Sequence, residues 1–509
     1  MNRFFLKSAA LLMPAFLSGA AWASPQQSAS VTDLELKSST ESALPSTPLA
    51  GHVFAFPVAS KSVEAQKLVE VAFDQYENVL LEDSATSARK ATEQDPNFAL
   101  AYALWSFAAR RNQPNPQAAL KAERLAVNAT AEEQLLVNFL TAVQKDDMLP
   151  AISSMNDLLA RFPKDRHALY LTAEWLYFQQ DYERSVRLME QIITLDPNFA
   201  PAFNMLGYAK VETGSPDPAK ALAYLKRYAE LEPSQANPED SIGEVSRYVG
   251  ADQQSLLHYA EALRIMPTFI TSQIGLGDTY TLMGEFASAD AEYRKALAIA
   301  TNNRDRLHIE YQQALLFFWQ GKSAVGLRKL SELEKKAHAL REPYAEFEIQ
   351  EGYALLLPAW KDQLQKLREV EGAYVSPIAG MSESDRNPSL AAIWRDEVRI
   401  LAKQDQLDKA HEVLEKLEKL ATKSRDLIVE NCYESARGYV FFAQKDYSSA
   451  SDELSADPHS PLTIKLLVEA RKKSGDMKNA EAAELHLKFQ RAPTVEWYLA
   501  SRTDTFAAN

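Results

Sequence analysis

One short joint is written twice in this chain. "LDPNFAPAFNMLGYAK" (195–210) repeats the pattern of "QDPNFALAYALWSFAA" (94–109), an Asp-Pro-Asn-Phe-Ala stretch followed by an aromatic and an apolar helical run. Proline has no amide hydrogen and disfavours helix in the residue before it, so such a joint ends a helix at a fixed place. The spacing of the prolines constrains the rest. Pro163 to Pro197 is 34 residues, Pro197 to Pro233 is 36 and Pro233 to Pro267 is 34, while Pro96 to Pro163 is 67, two periods less one. A fixed period of this size is the signature of a supersecondary unit stacked into an array.

Each period holds two amphipathic helices. In 166–199, Leu169, Thr172, Ala173 and Leu176 fall at i, i+3, i+4 and i+7, and Ser185, Met189 and Ile192 form a second stripe that Pro197 stops. In 270–303 the marks are Leu276, Gly277 and Tyr280, then Ala289, Tyr293 and Ala296. Weaker copies carry Phe203, Leu206, Gly207, Ala221 and Leu225, with two extra residues near "GSPDPAK", and then Ile242, Gly243, Tyr259 and Ala262. Toward the C-terminus the frame returns at Trp394, Leu401, Ala410, Leu414 and Leu417, at Gly438, Phe441 and Ala450, and at Leu467, Ala480 and Leu487.

These L-G-x-x-Y and A-x-x-x-aromatic-x-x-A elements resemble the tetratricopeptide repeat family, and the resemblance covers most of residues 63–492 in about a dozen units. It implies an all-α solenoid, a right-handed superhelix of stacked antiparallel helix pairs whose concave face is lined by the first helix of each pair. Small residues such as Gly277, Ala289 and Ala296 let the paired helices approach, and large ones fill the space between neighbours.

The expected organisation is a signal peptide at 1–23, a flexible Ser/Pro-rich leader at 24–62, and an N-terminal array at 63–337. A degenerate repeat and irregular connection at 338–390 follow, with a loop at Ser376–Pro388, then a C-terminal array at 391–492 and a cap or tail at 493–509. Arg3 and Lys7, a short apolar stretch and Ala21-Trp22-Ala23 have the form of an export signal cleaved after Ala23. The single cysteine, Cys432, excludes an intrachain disulfide and reads as a buried, inert thiol. Export without an anchor or lipid-modified cysteine implies a periplasmic or secreted protein, with no integral span in the mature chain.

Enzyme chemistry leaves little trace. "GLGDTY" lacks the third glycine of a dinucleotide loop, and "GKS" at 321–323 has no glycine five residues before it and no preceding strand. The eight histidines show no i,i+4 pair, and no GxSxG elbow occurs, so no metal or other cofactor is expected. A formal charge of −14 without a basic run argues against nucleic acid.

What remains is the groove. The resemblance places repeat positions 2, 5, 9 and 12 on the concave side: His167, Tyr170, Glu174, Tyr177, Asn204, Tyr208, Asp240, Glu244, Arg247, Ile274, Asp278, His308 and Gln312. Family members that grip a C-terminal carboxylate use a Lys/Asn/Lys/Arg clamp, but Tyr170, Glu174, Asn204 and Tyr208 stand there instead. Acids, tyrosines and amides suit a cationic or amphipathic protein or peptide. The expected function is a non-catalytic, partner-binding scaffold of the cell envelope. Two rivals are an assembly factor for envelope polysaccharide or outer-membrane machinery, and a solenoid enzyme with a non-local carboxylate site acting on saccharide.

Overall fold

The two copies of the joint have the same geometry. The helix before each ends on an extended aspartate, with φ of −139° at Asp95 and −136° at Asp196. The amides of Phe98 and Phe199 then donate to the carbonyls of those aspartates at 3.1 Å. The carboxylates accept the amides of Asn97 at 3.0 Å and Asn198 at 3.1 Å. This side-chain turn closes the corner that the proline opens, and the next helix starts at Ala99 or Ala200.

The computed structural model describes residues 56–110, 115–145, 147–213, 216–378 and 381–502. The expected signal peptide and most of the expected leader lie outside these residues. Among the described residues, twenty-five helices follow one another without a strand. They pair as α1 (Val63–Glu77) with α2 (Leu81–Gln94), α3 (Ala99–Ala109) with α4 (Pro116–Ala126), α5 (Ala131–Gln144) with α6 (Met148–Arg161), and α7 (Arg166–Phe178) with α8 (Tyr182–Leu195). Next come α9 (Ala200–Glu212) with α10 (Pro218–Leu231), α11 (Asn237–Tyr248) with α12 (Asp252–Ile265), α13 (Ile270–Leu282) with α14 (Phe286–Ile299), and α15 (Asn303–Trp319) with α16 (Ser323–Leu340). The last are α17 (Pro343–Leu356) with α18 (Trp360–Tyr374), α19 (Glu383–Lys403) with α20 (Leu407–Ser424), α21 (Leu427–Ala443) with α22 (Tyr447–Leu454), and α23 (Pro461–Ser474) with α24 (Met477–Lys488), closed by α25 (Val495–Ala500).

Within a pair, one left-handed residue turns the chain, as at Gln180 (φ 70°), Gly284 (φ 78°) and Gly321 (φ 73°). Glycine takes this conformation without a Cβ penalty. The second helix then starts on a cap such as Asp181, whose carboxylate accepts the Arg184 amide at 3.0 Å. Close approach inside the pair explains the small position of the repeat. A Cβ on Gly277 would sit 2.4 Å from Cε1 of Tyr293 on the opposite helix, so no larger residue fits the present packing.

The two helices of a pair are buried differently. On α14 the buried side chains are Ala289, Tyr293 and Ala296, a single stripe. Its partner α13 buries nearly every side, including the polar Thr271, Ser272, Gln273, Asp278 and Thr279. First helices are thus sandwiched, and second helices form the outer layer.

Residues 338–390 are more regular than expected. They hold the helix pair α17–α18 and the start of α19, and Pro388 lies inside α19 instead of in a loop. Helix α16 also runs on to Leu340. The degenerate signature reflects different packing residues, such as Leu364, Leu367 and Val370, at an unchanged period-3.6 stripe.

The array also folds back on itself. Gln179, at the α7–α8 turn, donates to the Asp426 carboxylate at 3.2 Å and accepts the Leu427 amide at 2.9 Å, 247 and 248 residues away. Tyr182 meets the ring of His459 edge-on at 4.8 Å. Arg491 pairs with Asp252 at 3.0 Å, and Ala492 joins the core of α7–α11. Val495 and Tyr498 of α25 belong to the core of α15–α17, with Tyr498 5.2 Å from Trp319.

Candidate functional site

The structure brings the predicted groove residues onto one strip but does not open it. His167, Tyr170, Glu174, Tyr177, Asn204, Tyr208, Asp240, Glu244, Arg247, Ile274, Asp278, His308 and Gln312 are all buried, Arg247 completely. The expected exposed groove is corrected to a buried polar ladder between first helices.

The ladder begins where α1 reaches α7. His167 Nδ1 pairs with the Glu77 carboxylate at 2.5 Å, Tyr170 donates to the Glu77 carbonyl at 3.3 Å, and Glu174 accepts from Tyr76 at 2.7 Å. Burial alone would lower the His167 pKa, but the charge and hydrogen bond of Glu77 outweigh it and the net shift is upward. Tyr177 packs edge-on against Tyr182 at 5.2 Å. Asn204 accepts from Ser241 at 3.0 Å, and Glu244 accepts from Tyr208 at 2.9 Å and Tyr248 at 2.7 Å.

Arg247 ties two rungs together, reaching Glu244 at 3.2 Å and Asp278 at 3.3 Å. Asp278 also accepts from Tyr293 at 2.8 Å. Burial raises the Asp278 pKa to about 6, with Arg247 pulling the other way. Asp240 accepts from Ser272 at 2.5 Å, and burial, with the charge of Glu244, holds its pKa well above the usual carboxylate range. His308 meets Glu348 at 3.3 Å, and Gln312 is buried beside it on α15.

The physical reason is pairing. Charges and hydroxyls leave water only when partners replace it, and on this strip each acid on one first helix faces a Tyr, Ser, Thr, Arg or His on another. Repeat positions give the angular face of a helix but not the curvature that brings distant helices together. The acids therefore form no exposed acidic surface, and the expectation of a cationic partner loses its basis.

A second buried network lies at the C-terminal end, and sequence reasoning missed it. Arg395 reaches Asp457 at 2.7 Å and Glu496 at 3.0 Å, Arg399 reaches Asp396 at 2.9 Å, and Ser460 donates to Glu496 at 2.7 Å. The available signal was "RDE" at 395–397, a charged run directly after the apolar stretch "LAAIW" at 390–394. Cys432 nearby is buried, and burial pushes its thiol up to about 12, as fits an unreactive side chain. Among the described residues no group of three or more His, Cys, Asp or Glu is arranged to hold a metal ion, and no helix is long and apolar enough to cross a membrane.

An open concavity does occur on the outer layer. A cavity of about 960 Å³ lies between α14 and α16 over α15. Ala314, Leu316 and Leu333 form a buried apolar floor, with Phe286 and Phe317 partly exposed at its sides. Lys322, Lys329, Lys336 and Arg294 line it as well, together with Asp290, Glu310 and Glu332. None of these residues stood among the predicted groove positions.

No curated protein sequence matched the chain. Among solved structures, a tetratricopeptide repeat protein from Parabacteroides merdae ATCC 43184 is 15% identical, with 54% of this chain and 93% of that one covered at a TM-score of 0.33. A thermophilic TPR protein of Thermus thermophilus, TTC0263, is 18% identical over 45% of this chain and 99% of its own, at 0.26. A chain of the APC/C hetero-tetramer Cut9–Hcn1 is 14% identical over 80% and 76%, at 0.38. The fold assignment itself rests on the helix pairs described above. Residues 270–303, the pair α13–α14, match the tetratricopeptide repeat family.

Proposed function

We propose that this chain is an exported, non-catalytic scaffold of the cell envelope that binds a protein partner on its outer layer. The observation that carries this reading is the apolar-floored cleft between α14 and α16, open where the predicted groove strip is buried. Protein-binding surfaces place apolar contact area inside a polar rim, and the cleft has that composition. The buried ladder and the Arg395 network then serve to hold the array in one curvature, so that the outer surface is rigid. Export is supported by Arg3, Lys7 and the Ala21-Trp22-Ala23 sequence.

A photo-crosslinking residue at the exposed Ala287 of the cleft, with a control at the exposed Val127 on the α4–α5 connection, tests the reading in the native host. A specific protein adduct at 287 and none at 127 is expected. Equal labelling at both positions would remove the cleft from consideration. Mass spectrometry of the same preparation checks export. A mature chain starting at Ser24, its formal charge moved from −14 to −16 by loss of Arg3 and Lys7, is the expected product.

A further inference from the structure

The chemistry of the cleft names the kind of partner, an inference that rests on the reading of the cleft as a docking surface. The cleft lies where the helix length changes. Helices α13 and α14 have 13 and 14 residues, whereas α15 and α16 have 17 and 18. Each is longer by about one turn. α14 and α16 both pack on α15, which floors the space between them.

Along one edge of that space, Lys322, at the N-cap of α16, and Lys329 and Lys336 on it recur every seven residues, a spacing that keeps the row on one side of the helix. At 1.5 Å per residue the row is about 21 Å long, close to four turns of a docked helix. Arg294 adds a fourth cation from α14. The three acids of the cleft are already engaged. Glu310 pairs with Lys336 at 2.6 Å, Glu332 with Lys329 at 3.0 Å, and Asp290 with Arg294 while accepting from Gln313 at 2.8 Å. Lys329 and Lys336 remain about half exposed in these pairs. Exposed pairs of this kind contribute little, so an incoming carboxylate exchanges for them at small cost. The cleft thus carries a surplus cation on a chain of formal charge −14.

We propose that the cleft takes an acidic amphipathic α-helix of another protein. Its apolar stripe lies on Phe286, Phe317 and Leu333, and its carboxylates lie along the Lys322–Lys329–Lys336 row. Helices that dock in grooves present apolar residues at i, i+3, i+4 and i+7, and the flanking charges choose among partners.

The test uses the mature full-length chain and two labelled helical probes of about four turns. Both have leucine at the apolar positions, one with flanking glutamates and the other with flanking lysines. Fluorescence anisotropy should show the glutamate probe binding at least about tenfold more tightly, with affinity that falls as salt rises. The double variant Lys329→Glu/Lys336→Glu, its fold checked by circular dichroism, should reverse the preference. Failure of the glutamate probe to bind, equal affinity of the two probes, or a preference unchanged in the double variant overturns the proposal. If crosslinking at 287 still traps a protein in that case, the partner chemistry is wrong and the cleft stands. If crosslinking fails too, both are wrong.

Discussion

The inner strip and the outer cleft invert the usual association of polar with exposed. On the strip, Glu244, Arg247 and Asp278 are buried because each finds a partner within hydrogen-bonding distance. In the cleft, Phe286 and Phe317 stay partly exposed because no described element covers them. The difference teaches that residue type alone does not say which surface of a repeat array is free. The neighbours do, and they are set by curvature and by what the chain's own C-terminus covers.

Breaking the closure should have the largest effect. Truncation before Arg491 removes the burial of Val495, Trp497 and Tyr498 and leaves Arg395 without Glu496. At about 1.5–3 kcal/mol for each large apolar side chain, a loss above about 5 kcal/mol is expected in urea unfolding. An unchanged midpoint would show that the tail only decorates the array.

Arg247→Ala comes next. It strands two buried carboxylates and should cost about 3–5 kcal/mol. Hydrogen exchange should rise first in α11 and α13.

The third effect depends on pH. Asp278 has a folded pKa near 6, above the ordinary aspartate value, so its contribution to stability is present in acid and lost as pH rises through about 6. Asp278→Asn removes that dependence. The difference between wild-type and variant stability should change by at most about 3 kcal/mol between pH 7 and pH 4. A pH-independent difference would mean that Arg247 keeps the carboxyl ionised throughout.

Gly277→Ala should cost about 1–3 kcal/mol by forcing its new methyl against Tyr293. Its effect on hydrogen exchange should centre on residues 236–337, because that contact is local to the pair. Lys329→Ala at the cleft edge should shift stability by less than about 0.5 kcal/mol, as exposed surface changes do, while lowering affinity for the acidic probe.

The fold was largely legible in the sequence. Proline spacing, the Gly277–Tyr293 contact pair and the Asp-Pro-Asn-Phe joint are local features, and local geometry follows from local residues. Pro388 is the sixth residue of α19, past the first turn where a proline costs no hydrogen bond, so the rule that reads a proline as a helix boundary fails there. The site was legible only halfway. Repeat positions group Tyr208, Glu244 and Asp278 on neighbouring first helices. Their partners lie about one repeat away, 36 residues from Tyr208 to Glu244 and 31 from Arg247 to Asp278, whereas the contact of Tyr76 with Glu174 spans 98 residues and follows from no single period. The cleft was missed for a related reason. Its row of lysines is visible in the sequence, but the cleft exists only once α14 and α16 pack on α15 and leave space between them.

Hydroxyl-radical footprinting of the native, untruncated chain tests the central contrast directly. Protection of Tyr170, Tyr177, Tyr208 and Tyr248 together with oxidation of Phe286 and Phe317 is the result the buried strip and open cleft require. Oxidation of the four tyrosines as fast as the two phenylalanines would contradict it, and would return the concave face to its place as the binding groove.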